Sequence, residues 1–82
     1  MVKYVVKRDG RIVAFDNRKI VDAILKAMNV TEGGEEIVLA AEIASVISKL
    51  EAEQMSVEEI QDQVEMELMN SPRKEVAKKY IA

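Results

Sequence analysis

Asp9-Gly10 stands between two β-rich runs, Tyr4-Val-Val-Lys-Arg8 and Arg11-Ile-Val-Ala-Phe15, and constrains the N-terminal fold more than any other feature. Asp-Gly tolerates positive φ at both central positions of a type I′ turn, so the chain is expected to reverse there as a β-hairpin. A two-residue loop pairs Arg8 with Arg11, Val6 with Val13 and Tyr4 with Phe15 on one face. Val5, Lys7, Ile12 and Ala14 share the other. The first face is expected to supply the core.

Beyond the hairpin the apolar period changes from two to about 3.6. Asp16 is expected to cap a helix over residues 17–28, with Ile20, Ile24, Ala27 and Met28 on its inner face. Thr31-Glu-Gly-Gly34 breaks it. A long helix is then expected from Glu35 to Glu53, apolar nearly all round at its centre and therefore the buried middle of a bundle. Ser56-Val-Glu-Glu59 reads as a capping box for a third helix with Ile60, Val64 and Leu68 inward. Asn70-Ser71-Pro72 closes that helix, with Ser71 as a cap and Pro72 as first residue of a short fourth one. Gln54-Met55-Ser56 is a candidate third strand. The expected class is α+β: an N-terminal hairpin, extended to three strands if that segment pairs, capping a four-helix bundle in a single domain over 1–82.

Composition narrows the chemistry. The 82 residues include no cysteine and no histidine, which removes disulfides, Cys/His zinc sites, thiol nucleophiles and Ser-His-Asp catalysis. The N-terminus is charged within a few residues, and no long apolar stretch occurs, so neither a signal peptide nor a membrane span is expected and the chain is read as cytoplasmic. The net charge of −3 hides an asymmetry: residues 1–28 carry seven bases against three acids, and residues 29–82 five against twelve. A basic N-terminal lobe on an acidic body suits a small polyanion.

The segment Val6-Lys-Arg-Asp-Gly-Arg-Ile-Val-Ala-Phe-Asp-Asn-Arg-Lys-Ile20 resembles the N-terminal signature of the ATP-cone family. Ser56-Val-Glu-Glu-Ile-Gln-Asp-Gln-Val-Glu65 is similar to the family's second recurrent segment, and Val76-Ala-Lys-Lys-Tyr-Ile81 to its closing helix. The resemblance implies a regulatory domain, not an enzyme, that binds ATP or dATP, with Mg2+ arriving on the nucleotide. It implies a regulated partner such as a ribonucleotide reductase catalytic domain, and self-association through the cone is a further expectation. By the same resemblance Lys7 and Lys19 are the phosphate ligands, and Ile20 and Val57 are walls of a base pocket.

The residues themselves add to that assignment. Lys7, Arg8, Arg11 and Lys19 concentrate positive charge around the hairpin tip and the first turn of the first helix, where the helix dipole also favours anions. Arg8 facing Arg11 is a like-charge pair that an anion relieves. Asp16, besides capping, can accept from the exocyclic amine of adenine, and Gln61 can bond ribose or base. Val5 and Val6 are further candidate walls. The carboxylates of Glu58, Glu59, Asp62 and Glu65 read as a solvated face and not a metal site. No Walker-type loop and no catalytic residues are present, so hydrolysis is not expected. Two other readings compete: a nucleic-acid module using the basic lobe, opposed by the acidic remainder and the scarcity of aromatics, and a helical interaction domain presenting Met55, Met66 and Met69.

Overall fold

The computed structural model of the chain describes residues 1–81. It has the order β1 (Tyr4–Val6), β2 (Ile12–Ala14), α1 (Asn17–Asn29), α2 (Ile37–Ser48), β3 (Gln54–Ser56), α3 (Val57–Met69) and α4 (Glu75–Ile81). The class is α+β, with three short strands and four helices.

The hairpin forms, but in a different register. Tyr4 lies opposite Ala14, Val5 opposite Val13 and Val6 opposite Ile12, one residue off the expected pairing. Gly10 has φ 89° while Asp9 stays at negative φ, so the type I′ turn, which needs both positive, does not form. Instead Arg8-Asp9-Gly10 makes a three-residue loop closed by Lys7 N donating to Arg11 O at 2.7 Å and Gly10 N donating to Lys7 O at 2.9 Å. Asp9 Oδ1 accepts from Arg11 N at 3.0 Å, an Asx-type contact that stabilises this shape. The slip reverses the faces of β1: Val5 packs with Phe15 against the core, and Tyr4 is left 44% exposed. The expected Arg8–Arg11 pairing disappears, since Arg8 moves into the loop.

The third strand pairs in parallel with β1, Val5 opposite Met55, giving the order β2-β1-β3. Its requirements also shorten α2. The expected helix to Glu53 stops at Ser48, because Ser48 O accepts from Val2 N and Glu53 O accepts from both Lys3 N and Tyr4 N. The carbonyls of Ser48 and Glu53 are thus committed to the segment that leads into β1.

Among the helices, α1 packs against α2 and α4, and α3 against the same two. Asp16 caps α1 by accepting from Arg18 N, and the capping box at Ser56 has both of its bonds, Glu59 N to Ser56 Oγ at 3.1 Å and Ser56 N to Glu59 Oε1 at 2.8 Å. Ile24, Met28, Ala40, Ala44, Ile47, Val64, Leu68 and Val76 are buried completely, between α1, α2, α3 and α4. Two expectations fail here. The outer side of α2 is not buried: Ile37 and Val38 are about two-thirds exposed. The fourth helix does not begin at Pro72; Ser71 Oγ donates to Leu68 O at 2.6 Å and accepts from Arg73 N at 3.1 Å, so Ser71-Pro72 finish the turn after α3 and α4 starts at Glu75. Met55 belongs to the core at 7% exposure, while Met66 and Met69 are exposed. No helix among the described residues is long and apolar enough to cross a membrane.

Arg73 fixes the long turn between α1 and α2 from outside. Its side chain is 11% exposed. Nη1 donates to Glu36 Oε2 at 2.8 Å, Nη2 to Thr31 Oγ1 at 2.8 Å and to Gly34 O at 3.0 Å, and Nε to Glu75 Oε2 at 2.7 Å. A Cβ on Gly33 would lie 2.7 Å from Cζ and Nη2 of this guanidinium, which five donors in a rigid fork hold against displacement. Gly33→Ala is therefore expected to cost about 1–3 kcal/mol by overpacking. In an Arg73→Ala background, chemical denaturation should show that cost largely removed.

Candidate functional site

Five elements leave one open cleft between them. Its walls are β1 and β2 of the sheet, the first turns of α1, the start of α3 and the end of α4, and its volume is about 170 Å³. The register slip decides its chemistry: the face that Val5 shares with Lys7, expected to point away from the core, is the one turned inward, so Lys7, just past β1, lines the cleft. Lys19 lines it from α1, together with Asp16 and Ile20. Val57 and Gln61 line it from α3, and Val5, Phe15, Ala23, Ile60 and Tyr80 complete an apolar floor.

Seven of the ten residues singled out from sequence for a ligand site therefore line one cavity: Val5, Lys7, Asp16, Lys19, Ile20, Val57 and Gln61. Arg8 and Arg11 do not line it. They belong with Lys7, Asp9 and Val57 to an adjoining shallow surface at the hairpin tip. Arg8 reaches over α3, donating from Nε to Glu58 Oε2 at 2.8 Å and from Nη2 to Gln61 Oε1 at 3.3 Å. Arg11 folds back on Asp9, Nε to Oδ2 at 2.7 Å. As a loop residue, Arg8 borders the same Val57 as Lys7. Val6, a candidate wall, does not line the cleft.

Tyr80 was missed as a site residue. It borders both this cleft and a neighbouring hollow formed with Lys26, Val30 and Lys79, and burial pushes its phenol pKa above the ordinary value. Its only sequence signal was being the one aromatic of the closing helix. Arg18 does not line the cleft but holds Asp16 from outside it: Nε and Nη2 lie 3.3 and 3.4 Å from the Asp16 carboxylate.

Arginine partners hold four carboxylates of the chain below the usual range. The Arg18 side chain and backbone hold Asp16 below the usual range, Arg11 does so for Asp9, Arg8 for Glu58, and Arg73 for Glu75. A group whose pKa is lower folded than unfolded stabilises the fold above its unfolded pKa and loses that contribution as pH falls through the folded value. With no histidine to titrate nearer neutrality, the ligand-free melting temperature should be flat between about pH 5 and pH 8 and fall below about pH 4. A scan by circular dichroism checks this.

Glu58 and Gln61 both accept from Arg8. Both members of the Arg8–Glu58 pair are more than half exposed, and such pairs are weak. Glu58→Gln should release Arg8 and tighten the binding of a polyanion at this face by no more than about fivefold, as titration calorimetry would read.

Two cationic side chains from separate elements, an apolar floor and polar groups at its edge are the parts of a site for a ligand with an anionic end and a flat apolar one. Comparison with known proteins agrees. A family model described as the ATP cone domain matches residues 3–82. The chain belongs to the ATP cone family. A vitamin B12-dependent ribonucleoside-diphosphate reductase of Thermoplasma acidophilum is 46% identical over 88 residues, covering 99% of this chain and 11% of that protein. An anaerobic ribonucleoside-triphosphate reductase of Escherichia coli is 37% identical over 82 residues, covering 99% of this chain and 12% of that protein. The cone thus spans about an eighth or less of the curated relatives it matches.

Proposed function

We propose that this ATP cone binds ATP or dATP, carried with Mg2+, in the cleft between hairpin, α1, α3 and α4, and that occupancy controls an associated partner instead of driving chemistry in the cone itself. The observation that carries the reading is the flanking of one apolar cleft by Lys7, just after β1, and Lys19 from α1. Those ammonium groups supply charge for the phosphates. Asp16, ionised and still holding free lone pairs, is an acceptor for the adenine amine, where guanine presents an oxygen instead. Gln61 takes ribose or base, and Arg8, once freed from Glu58, adds a donor at the phosphate end. Mg2+ is held by the phosphates, since the described residues contain no cluster of three or more acidic side chains suited to a metal.

The relatives carry this sequence as a small part of a reductase, so the regulated partner in this reading is a reductase catalytic domain in the cytoplasm. Regulation requires that nucleotide bind two arrangements of the cone unequally. Hairpin, α1, α3 and α4 all border the ligand, so their relative positions are what binding biases. Titration calorimetry with Mg-ATP, Mg-dATP, Mg-GTP and a single-stranded oligonucleotide tests the proposal. Saturable binding of the adenine nucleotides, with GTP at least tenfold weaker, is the expected result. Binding of the oligonucleotide with no response to any nucleotide would place the cone among nucleic-acid modules.

A further inference from the structure

The fold leaves one strong sequence feature unused. Helix α2 is apolar nearly all round, a pattern that belongs to a helix covered on every side, yet only Ala40, Ile43, Ala44 and Ile47 are buried. Ile37 is 64%, Val38 67% and Val46 43% exposed. No α2 residue lines the nucleotide cleft, so the surplus has no role there. Two adjoining hollows that share Leu39, Glu42 and Pro72 run along this side of α2, past the turn between α3 and α4. Val38 borders one, and Val46 and Glu67 the other. The result is a continuous apolar groove with acids along its rim.

Charge selects the occupant. From Thr31 to Ser48 the chain carries four glutamates and no base, and from Val57 to Met69 five acids and no base. Arg73, the one base lining the groove among the described residues, is already engaged by Glu36 and Glu75. A second copy offering the same face would set acid against acid. We infer that this groove docks a basic amphipathic helix of a partner protein, with apolar side chains at i, i+3, i+4 and i+7 against Val38, Leu39, Val46 and Pro72, and lysines or arginines against Glu42 and Glu67. Separation from the cleft lets nucleotide and partner bind together.

The probe is a fluorescein-labelled, 18-residue amphipathic helix of Leu and Lys, with its Leu/Glu counterpart as control, read by anisotropy against the 82-residue chain. The wild type should bind the Leu/Lys peptide and not the Leu/Glu one. Val38→Asp with Val46→Asp should weaken binding at least tenfold, although it adds two negative charges; attraction by charge alone predicts tightening. Both sites are exposed, and an unchanged melting temperature verifies folding. Should the aspartates unfold the chain, Val38→Thr with Val46→Thr must still weaken binding at least threefold. Unchanged or tighter binding by a folded variant, or failure of the wild type to bind, overturns the inference. So does a wild-type dimer in sedimentation that the same substitutions abolish, since it would put a second copy on this face.

Discussion

Mg-ATP or Mg-dATP at about a hundred times its Kd should raise the melting temperature of the cone by on the order of 10 °C. The stabilisation at that concentration is roughly 2.7 kcal/mol, and a domain of this size gains about 4–8 °C per kcal/mol. Lys19→Ala should largely abolish the shift while leaving the ligand-free melting temperature nearly unchanged. The reason is structural. Lys19 lies on the exposed side of α1, lines the cleft, and makes no ion pair among the described residues that its loss would orphan. Alanine is also a better helix former. A large loss of ligand-free stability in Lys19→Ala would instead give the side chain a structural role and remove it from the site. Scanning calorimetry at several nucleotide concentrations separates the two outcomes.

Leu68→Ala is expected to have the largest effect on the fold itself. Leu68 is fully buried on α3, where α2 and α4 both pack, and its carbonyl accepts from Ser71 Oγ and Ser71 N at the turn into α4. Removing its branched end leaves a cavity among side chains fixed on several helices, and such losses cost about 2–5 kcal/mol. Total stability for 82 residues is on the order of 4–12 kcal/mol, so the variant should melt on the order of 20 °C lower or fail to fold at physiological temperature. Saturating nucleotide should recover part of the loss, because α3 and α4 both border the cleft. Urea unfolding with and without Mg-ATP measures both effects.

Much of the architecture could be read from local signals. Asp16 and Ser56 announce α1 and α3 through short-range capping chemistry, and Ile20, Ile24, Ala27 and Met28 repeat at a spacing only a helix puts on one face. The hairpin register was not legible, since Asp-Gly serves both two- and three-residue loops. The choice turned on whether Asp9 took positive φ, and its carboxylate found Arg11 N instead. The length of α2 was misread because its apolar run continues beyond Ser48, and the competing demand of β1 for the carbonyls of Ser48 and Glu53 comes from strands about fifty residues away.

The candidate site followed the same division. Residues adjacent in sequence to strong local motifs, such as Lys7, Asp16 and Lys19, were picked out by residue type together with the family likeness. Arg11 was not brought to the cleft, because the loop turns it onto Asp9. Tyr80 and Arg73 take their roles from contacts with segments far off in sequence. The Arg73 guanidinium spans 37–42 residues to reach Glu36, Gly34 and Thr31, and no periodicity within α4 signals that. The exposed apolar side of α2 is the converse case, in which the pattern was seen and its burial expected, but the described residues do not cover it.

The most direct test of the cleft is an amide chemical-shift titration of the 15N-labelled chain with Mg-ATP. The account predicts saturating shifts that cluster at Lys7, Arg8, Asp16, Lys19, Ile20, Gln61 and Tyr80, with the outer residues of α2 nearly silent. Shifts centred on α2, or spread thinly over every surface lysine without saturation, would contradict it.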